Sequence, residues 1–327
     1  MFVMKHQLLL TFDVEDFISA RSIDALSYIL KLLNKYDIRA LFFITGHMAE
    51  RLYFFEEVVH SLEEHEIGFH SSAHSVHPAV FEYCDVEKYE NAYSASLERE
   101  TSHINPLSGA VEGKGGIHAL KDLFPSKSIV AYRAPGYCCP PPHLEAMKRL
   151  GIEYDFSWNI SAAPFSYREI TFYPRPVFLD CEEALLAGDL QVASWARLMR
   201  SILKEEATVL TFHPHRFVSK DYWDGIYHRG NPQELTETLP RDTRQIRHMV
   251  SKFEALLRRV SCLQKLGVIE ASPRLMWSRT NLDKVRLEAG RLVDDYSFWP
   301  KVFFGYSPKY IDAQLSRFFG LSFGVDG

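Results

Sequence analysis

Nowhere in the 327 residues is there an unbroken apolar run of the roughly 18 residues that a membrane-spanning helix requires. The apolar stretch within Met1 to Leu10 meets Asp13 almost at once, and it has neither the length nor the flanks of a secretory signal. No membrane span and a cytoplasmic location are therefore expected. Cysteine is sparse and odd in number: Cys84, Cys138, Cys139, Cys181 and Cys262. An odd count without a signal argues for reduced thiols rather than a disulfide framework. Cys138 and Cys139 adjoin each other before Pro140-Pro141-Pro142, so they lack the spacing of a redox pair and read as packing residues. An excess of positive charge is also missing. Lys and Arg number 37 against 42 Asp and Glu, a formal net charge of -5, which gives no electrostatic footprint for nucleic acid. The local basic cluster Arg241 to Arg247 reads as a solvated helix face. No repeat of solenoid period is present, which excludes repeat architectures.

What is present is globular. Hydrophobic residues make up 46% and charged residues 24%, and the length suffices for one large domain with an extension, or for two domains. Leu8 to Phe12 reads as a strand ending on Asp13. Ile23 to Lys35 places Leu26, Ile29, Leu30 and Leu33 at helical spacing. Ile38 to Ile44 reads as a buried strand before Gly46, Met48 to Glu64 as a second amphipathic helix, and Ile67 to Phe69 as a short strand ending on His70. This β-α-β-α-β order predicts a parallel sheet. Further strands are expected over Ser128–Tyr132, Tyr154–Trp158 and Thr208–Phe212, with a helix over Leu144–Leu150 stopped by Gly151. Residues 103–118 read as a loop. Asp242 to Leu266 has the stripe of a long helix, and the aromatic-rich end from Ser278 carries no chemical constellation.

Five strand ends thus carry Asp13, His70, Arg133, Asp155 and His213. Parallel α/β sheets place their chemistry at that carboxyl edge. His70 and His74 stand four apart, a spacing that can turn two imidazoles toward one divalent ion. Asp13 and Glu15 fall on one side of an extended strand. One carboxylate could ligate the ion while the other takes a proton from water, whose pKa an ion lowers toward roughly 7. Two histidines and one carboxylate leave positions open, as in a catalytic rather than a structural centre.

On these residues the chain resembles the polysaccharide deacetylase family, also called the NodB-homology or carbohydrate esterase family 4 domain. Thr11-Phe12-Asp13-Val14-Glu15-Asp16 is similar to its first motif, in the form of a DVED subgroup. His70-Ser71-Ser72-Ala73-His74 is similar to the second, and Arg133-Ala134-Pro135-Gly136-Tyr137 to the third. Asp155-Phe156-Ser157-Trp158 and Leu210-Thr211-Phe212-His213-Pro214 are similar to the fourth and fifth. The second strand, Ala40 to Gly46, shares the likeness, which spans about residues 7 to 217. The resemblance implies a distorted (β/α) barrel with fewer than eight strands. It leaves the tail unexplained; the change of character after Pro240 makes residues 1–240 the expected α/β deacetylase-like domain and 241–327 a mainly helical extension packed on it. The resemblance further implies Asp13 as general base and His70 and His74 as metal ligands, with Arg133 holding Asp13 ionised and oriented. His213 would be the general acid with Asp155 as partner, and the Tyr137 backbone N–H would help bind the oxyanion. Many members carry adjacent aspartates in the first motif. Here Val14 follows Asp13, so Glu15 is the expected third ligand and Asp16 its rival.

The implied activity is metal-dependent removal of an N-acetyl group from an amino sugar, such as a surface-glycan precursor. The ion expected first is zinc, with cobalt, manganese or nickel able to use the same ligands. A C–N hydrolase acting on a small non-sugar amide, imide or formamide is the alternative, and a non-catalytic family member the third reading. His77 reads as a cap or surface residue and His215 as a bystander to His213. Trp158 and Trp195 read as core or pocket wall rather than sugar platforms.

Overall fold

The structure, a computed structural model, describes residues 6–74, 89–135, 139, 141–157, 165–167, 169–173, 207–221, 223, 235–271 and 273. In chain order the first half comprises β1 (His6–Val14), α1 (Ala20–Lys35), β2 (Leu41–Ile44), α2 (Gly46–Leu52), α3 (Glu56–Leu62), β3 (Glu66–Phe69), α4 (Tyr89–Glu100), β4 (Ser102–Ile104), β5 (Val111–Lys114) and α5 (Ile117–Leu123). The remainder comprises β6 (Ala131–Tyr132), α6 (Pro141–Arg149), β7 (Tyr154–Asp155), β8 (Phe165–Tyr167), β9 (Ile170–Phe172), β10 (Ala207–Phe212), α7 (Pro214–Val218), α8 (Thr243–Lys265) and β11 (Ile269–Glu270).

One sheet runs β10-β1-β2-β3-β6-β7-β9-β8, with β11 beside the start of β1. Its pairings are parallel apart from β8 on β9. Parallel pairing is what the helical crossovers between strands require. It brings the carboxyl ends of β1, β2, β3, β6, β7 and β10 to a common edge.

Alternation along each strand divides the core in two. Leu8, Leu10 and Phe12 of β1 join Phe42 and Ile44 of β2 under the helices. Leu9 faces the other way and meets Leu41, Phe43, Ala131, Tyr154, Phe156, Tyr173 and Val209. Residues from the strands of β10 through β9 thus close on one another, and the sheet curls into an open (β/α) barrel. Phe12 anchors the helical side, stacked on Phe42 at 4.8 Å and on Phe212 at 5.4 Å between ring centroids. Fully burying a side chain of this size is worth about 1.5–3 kcal/mol.

Several expected elements take a different form. Met48 to Glu64 is two helices, because Phe55 leaves helical geometry (φ -128°, ψ 64°) and starts α3. The break leaves Tyr53 and Phe54 in solvent, where an unbroken amphipathic stripe would have placed one of them inward. Residues 103–118 are not simply a loop: β4 and β5 pair as an antiparallel hairpin before α5. The long C-terminal helix forms as expected, with Asp242 accepting from Gln245 N–H at 2.8 Å and the Gln245 side chain accepting from Asp242 N–H at 3.1 Å. It does more than pack outside. Met249, Phe253, Leu257 and Val260 enter the main core, and β11 joins the central sheet. Within the basic cluster Arg244 and Arg247 are exposed, whereas Arg241 is buried and donates to the Arg216 carbonyl at 3.0 Å. No described helix is long and apolar enough to cross a membrane.

Candidate active site

β1 delivers the two acids. Odd residues face the inside of the curl, so Thr11 and Asp13 follow Leu9 inward, and Glu15 continues this side just past the strand. Asp13 sits opposite Phe43 in register, two residues beyond the Thr11–Thr211 pair. Arg133, just past β6, is fully buried and points its guanidinium at them. Nη1 donates to Asp13 Oδ1 at 2.5 Å and Nη2 to Thr11 Oγ1 at 3.0 Å. Thr11 in turn donates to the Leu210 carbonyl at 2.8 Å. The guanidinium lies 4.3 Å from the Phe43 ring centroid, a stacked environment suited to its flat delocalised charge. Asp13 is thereby fixed on one oxygen. Its other oxygen lies 3.6 Å from His213 Nε2 and 4.0 Å from His70 Nε2.

Glu15 turns one oxygen to two histidines. Oε2 is 3.1 Å from Nε2 of His70 and 3.1 Å from Nε2 of His74. Its Oε1 accepts from Trp223 Nε1–H at 3.0 Å and lies 4.0 Å from His215 Nδ1. Burial pushes this carboxyl up, but His74, His213 and His70 outweigh it and hold the group well below the ordinary carboxylate range. His70 Nδ1 lies 2.7 Å from the Arg133 carbonyl. A carbonyl only accepts, so Nδ1 carries the proton, and with an ion between the two side chains Nε2 would offer that ion a lone pair.

Glu15, His70 and His74 each offer an atom within 4.8 Å of the others. Ligands about 2.0–2.1 Å from a tetrahedral zinc stand roughly 3.3 Å apart, close to the 3.1 Å from Glu15 Oε2 to each histidine. The charge balance points the same way: among the described residues, the two buried carboxylates Asp13 and Glu15 face one obligatory cation, Arg133. A buried site of this kind calls for a further positive charge. These residues fit a divalent ion.

Asp16 is committed elsewhere. It accepts from the N–H groups of Ile18 and Ser19, each at 3.1 Å, and from the Ser22 hydroxyl, so it serves the first turn of α1. Burial raises its pKa, against the hydrogen bond from Ser22. The alternation that puts Glu15 on the same side as Asp13, and Asp16 on the other, matches where the two side chains lie.

His213 stands between β10 and α7, and Asp155 ends β7. Asp155 accepts from Ser157 N–H at 2.8 Å and from its hydroxyl at 3.1 Å, while Ser157 Oγ accepts from Ala134 N–H at 2.7 Å. This ties the turn after Arg133 to the end of β7. Tyr137, His77, Trp158 and Trp195 lie outside the described residues. Two site residues were not anticipated. Trp223 is a direct partner of Glu15 from more than 200 positions away, with no motif to mark it. His215, expected as a bystander, is buried within reach of the same carboxylate, and burial holds its pKa well below the ordinary imidazole value.

Residues 3–154 match the family model described as polysaccharide deacetylase. No curated protein matches the chain. Among solved structures, a candidate polysaccharide deacetylase from Mycobacterium smegmatis is similar at 14% identity and a TM-score of 0.46, over 85% of this chain and 97% of that one. A family 4 carbohydrate esterase pseudoenzyme from Bacillus anthracis is similar at 13% identity and a TM-score of 0.41, over 78% and 62%. A peptidoglycan deacetylase from Bacillus subtilis is similar at 14% identity and a TM-score of 0.36, over 80% and 96%. Likenesses of this size carry no functional weight, and the assignment rests on the family match. That match takes in Asp13, Glu15, His70, His74 and Arg133, and over residues 3–154 the chain is similar to the polysaccharide deacetylase family.

Proposed function

We propose that the chain is a metal-dependent hydrolase that removes the acetyl group from an N-acetylated amino sugar in a polysaccharide or its precursor. The observation that carries this reading is the grouping of Glu15, His70 and His74, with Asp13 and His213 beside it. Glu15, His70 and His74 would hold the ion, with zinc expected first. The ion would supply Lewis acidity toward the carbonyl and the attacking water.

The chain's own residues account for the proton traffic. Asp13, held by Arg133, takes a proton from the water as its oxygen bonds to the acyl carbon. The C–N bond then breaks, and His213 gives a proton to the departing nitrogen. The products are acetate and a free amine. A general acid and a general base on separate elements suit amide hydrolysis, in which one proton must leave the nucleophile and another must reach a poor leaving group. The backbone N–H of Tyr137, outside the described residues, is the proposed oxyanion donor.

The test is acetate release from a panel of N-acetylated sugars by protein supplied with zinc, with imides and formamides in parallel. Release from a sugar supports the proposal, and turnover of only the imides or formamides replaces the substrate class. His213→Ala is expected to keep metal and lose roughly 10²–10⁴-fold in turnover. Normal turnover in that variant removes His213 as the acid, and absence of hydrolysis across the panel by metal-loaded protein favours a non-catalytic member.

A further inference from the structure

His70 and His74 can meet one ion only if the two residues after His70 turn sharply. Ser71 does so in left-handed backbone, at φ 67°, a region that residues with a side chain adopt when their surroundings impose it. Those surroundings are well defined. On one side the N-terminus of α2 donates, Gly46 N–H to the Ser71 carbonyl at 2.9 Å and His47 N–H to the Ser72 carbonyl at 3.1 Å. On the other side stands Glu100, the last residue of α4 and itself buried. Its Oε1 accepts from the Ser71 hydroxyl at 2.6 Å and its Oε2 from Ser72 N–H at 2.8 Å.

The turn is also walled in. A Cβ at Gly116 would lie 2.1 Å from Ser72 Oγ and 2.3 Å from the Glu100 carbonyl, and one at Gly46 would lie 2.9 Å from the Ser72 carbonyl. Behind Glu100, His143 Nε2 lies 3.7 Å from Oε1 and within 2.7 Å of the Tyr132 hydroxyl. Both carboxyl oxygens of one buried residue are thus spent on the two residues that set the approach of the histidines.

We infer that Glu100 is the positioning residue of this turn, holding Ser71 and Ser72 so that His70 and His74 face Glu15 together. Its effect on metal rests on the reading of Glu15, His70 and His74 as a metal centre; its effect on the turn does not. Outer partners that orient ligands typically change metal affinity by roughly 10–100-fold when removed.

The experiment measures zinc affinity of the full chain by competition with a chromophoric chelator, and hydrogen exchange of residues 71–74 in metal-free protein. Glu100→Ala is expected to weaken zinc by roughly 10–100-fold and to speed exchange in the turn. Glu100→Gln keeps an acceptor for Ser72 N–H and offers a donor to Ser71 Oγ, so it should return to within about threefold of wild type. Ser71→Ala removes only one of the two contacts and gives the reading if Glu100→Ala fails to fold. Ser96→Ala is the control, since it deletes a buried bond to the Ala92 carbonyl in the same helix and should lower Tm without changing affinity. The inference is overturned if Glu100→Ala and Ser71→Ala match wild type in affinity and exchange, or if Ser96→Ala weakens zinc as much as Glu100→Ala. If wild type and His74→Ala bind zinc equally poorly, the metal reading fails instead. Exchange in the turn then decides the role of Glu100 alone.

Discussion

At the scale of the residue, Glu15 and Asp16 are neighbours in sequence with opposite fates. Glu15 meets two imidazoles, whereas Asp16 meets two backbone N–H groups and a serine hydroxyl. Glu15→Gln should therefore lose zinc affinity by at least roughly tenfold with little change in Tm. Asp16→Asn should lower Tm while leaving zinc stoichiometry intact, at a cost of about 1 kcal/mol for a weakened helix start. Chelator competition and thermal melts on the two variants check this, and equal zinc loss in both would reinstate Asp16 as a ligand. The placement of Asp13 and Glu15 was legible because a strand's two-residue period is a local property. So was the His70–His74 pair, whose spacing is short. Trp223 and Glu100 were not legible. Each reaches the site from a distant element, and a tryptophan or a glutamate in isolation is more often core or surface.

At the scale of the element, the strands that carry site residues were read, whereas β8, β9 and β11 of the central sheet were not expected. Buried parallel strands announce themselves as apolar runs, such as Ala40 to Ile44. The hairpin β4–β5 does not, because β5 is exposed along its length and carries no alternation. The two-residue strands β6 and β7 show how little pairing suffices once a neighbour is in place. Gly68 in β3 illustrates why a residue can be small for a remote reason. A Cβ there would stand 2.7 Å from the Phe43 ring and 3.2 Å from the Ala131 carbonyl. Phe43 is also the face on which the Arg133 guanidinium rests. Gly68→Ala should therefore destabilise by about 1–3 kcal/mol through overpacking and lower turnover by shifting Arg133 away from Asp13. Urea unfolding with parallel assays tests the coupling. A variant as stable and as active as wild type would show that Phe43 yields freely.

At the scale of the whole molecule, acid should loosen the fold through a group far from the active site. His65 precedes β3, accepts from Ala40 N–H on Nδ1 at 3.3 Å and lies 5.2 Å from the Phe42 ring. Burial, with Arg39 adding to it, lowers its pKa from 6.5 to about 4. The unfolded chain then binds the extra proton first, so this stability is complete above pH 6.5 and is lost as pH falls toward 4. By pH 5 the loss is about 2 kcal/mol. His65→Gln should flatten the fall in urea midpoint between pH 7 and pH 5, and parallel slopes for the two proteins would discard the assignment. The position of β1 has a consequence for the order of events during synthesis. The strand that carries Asp13 and leads to Glu15 is made before the other described strands, yet two of its partners, β10 and β11, are the last of them. Such distant pairings are slow to close. A nascent chain halted before residue 207 would hold both acids and both histidines of the proposed centre and still lack the edge that seats β1, so metal capture should be among the final steps of its maturation.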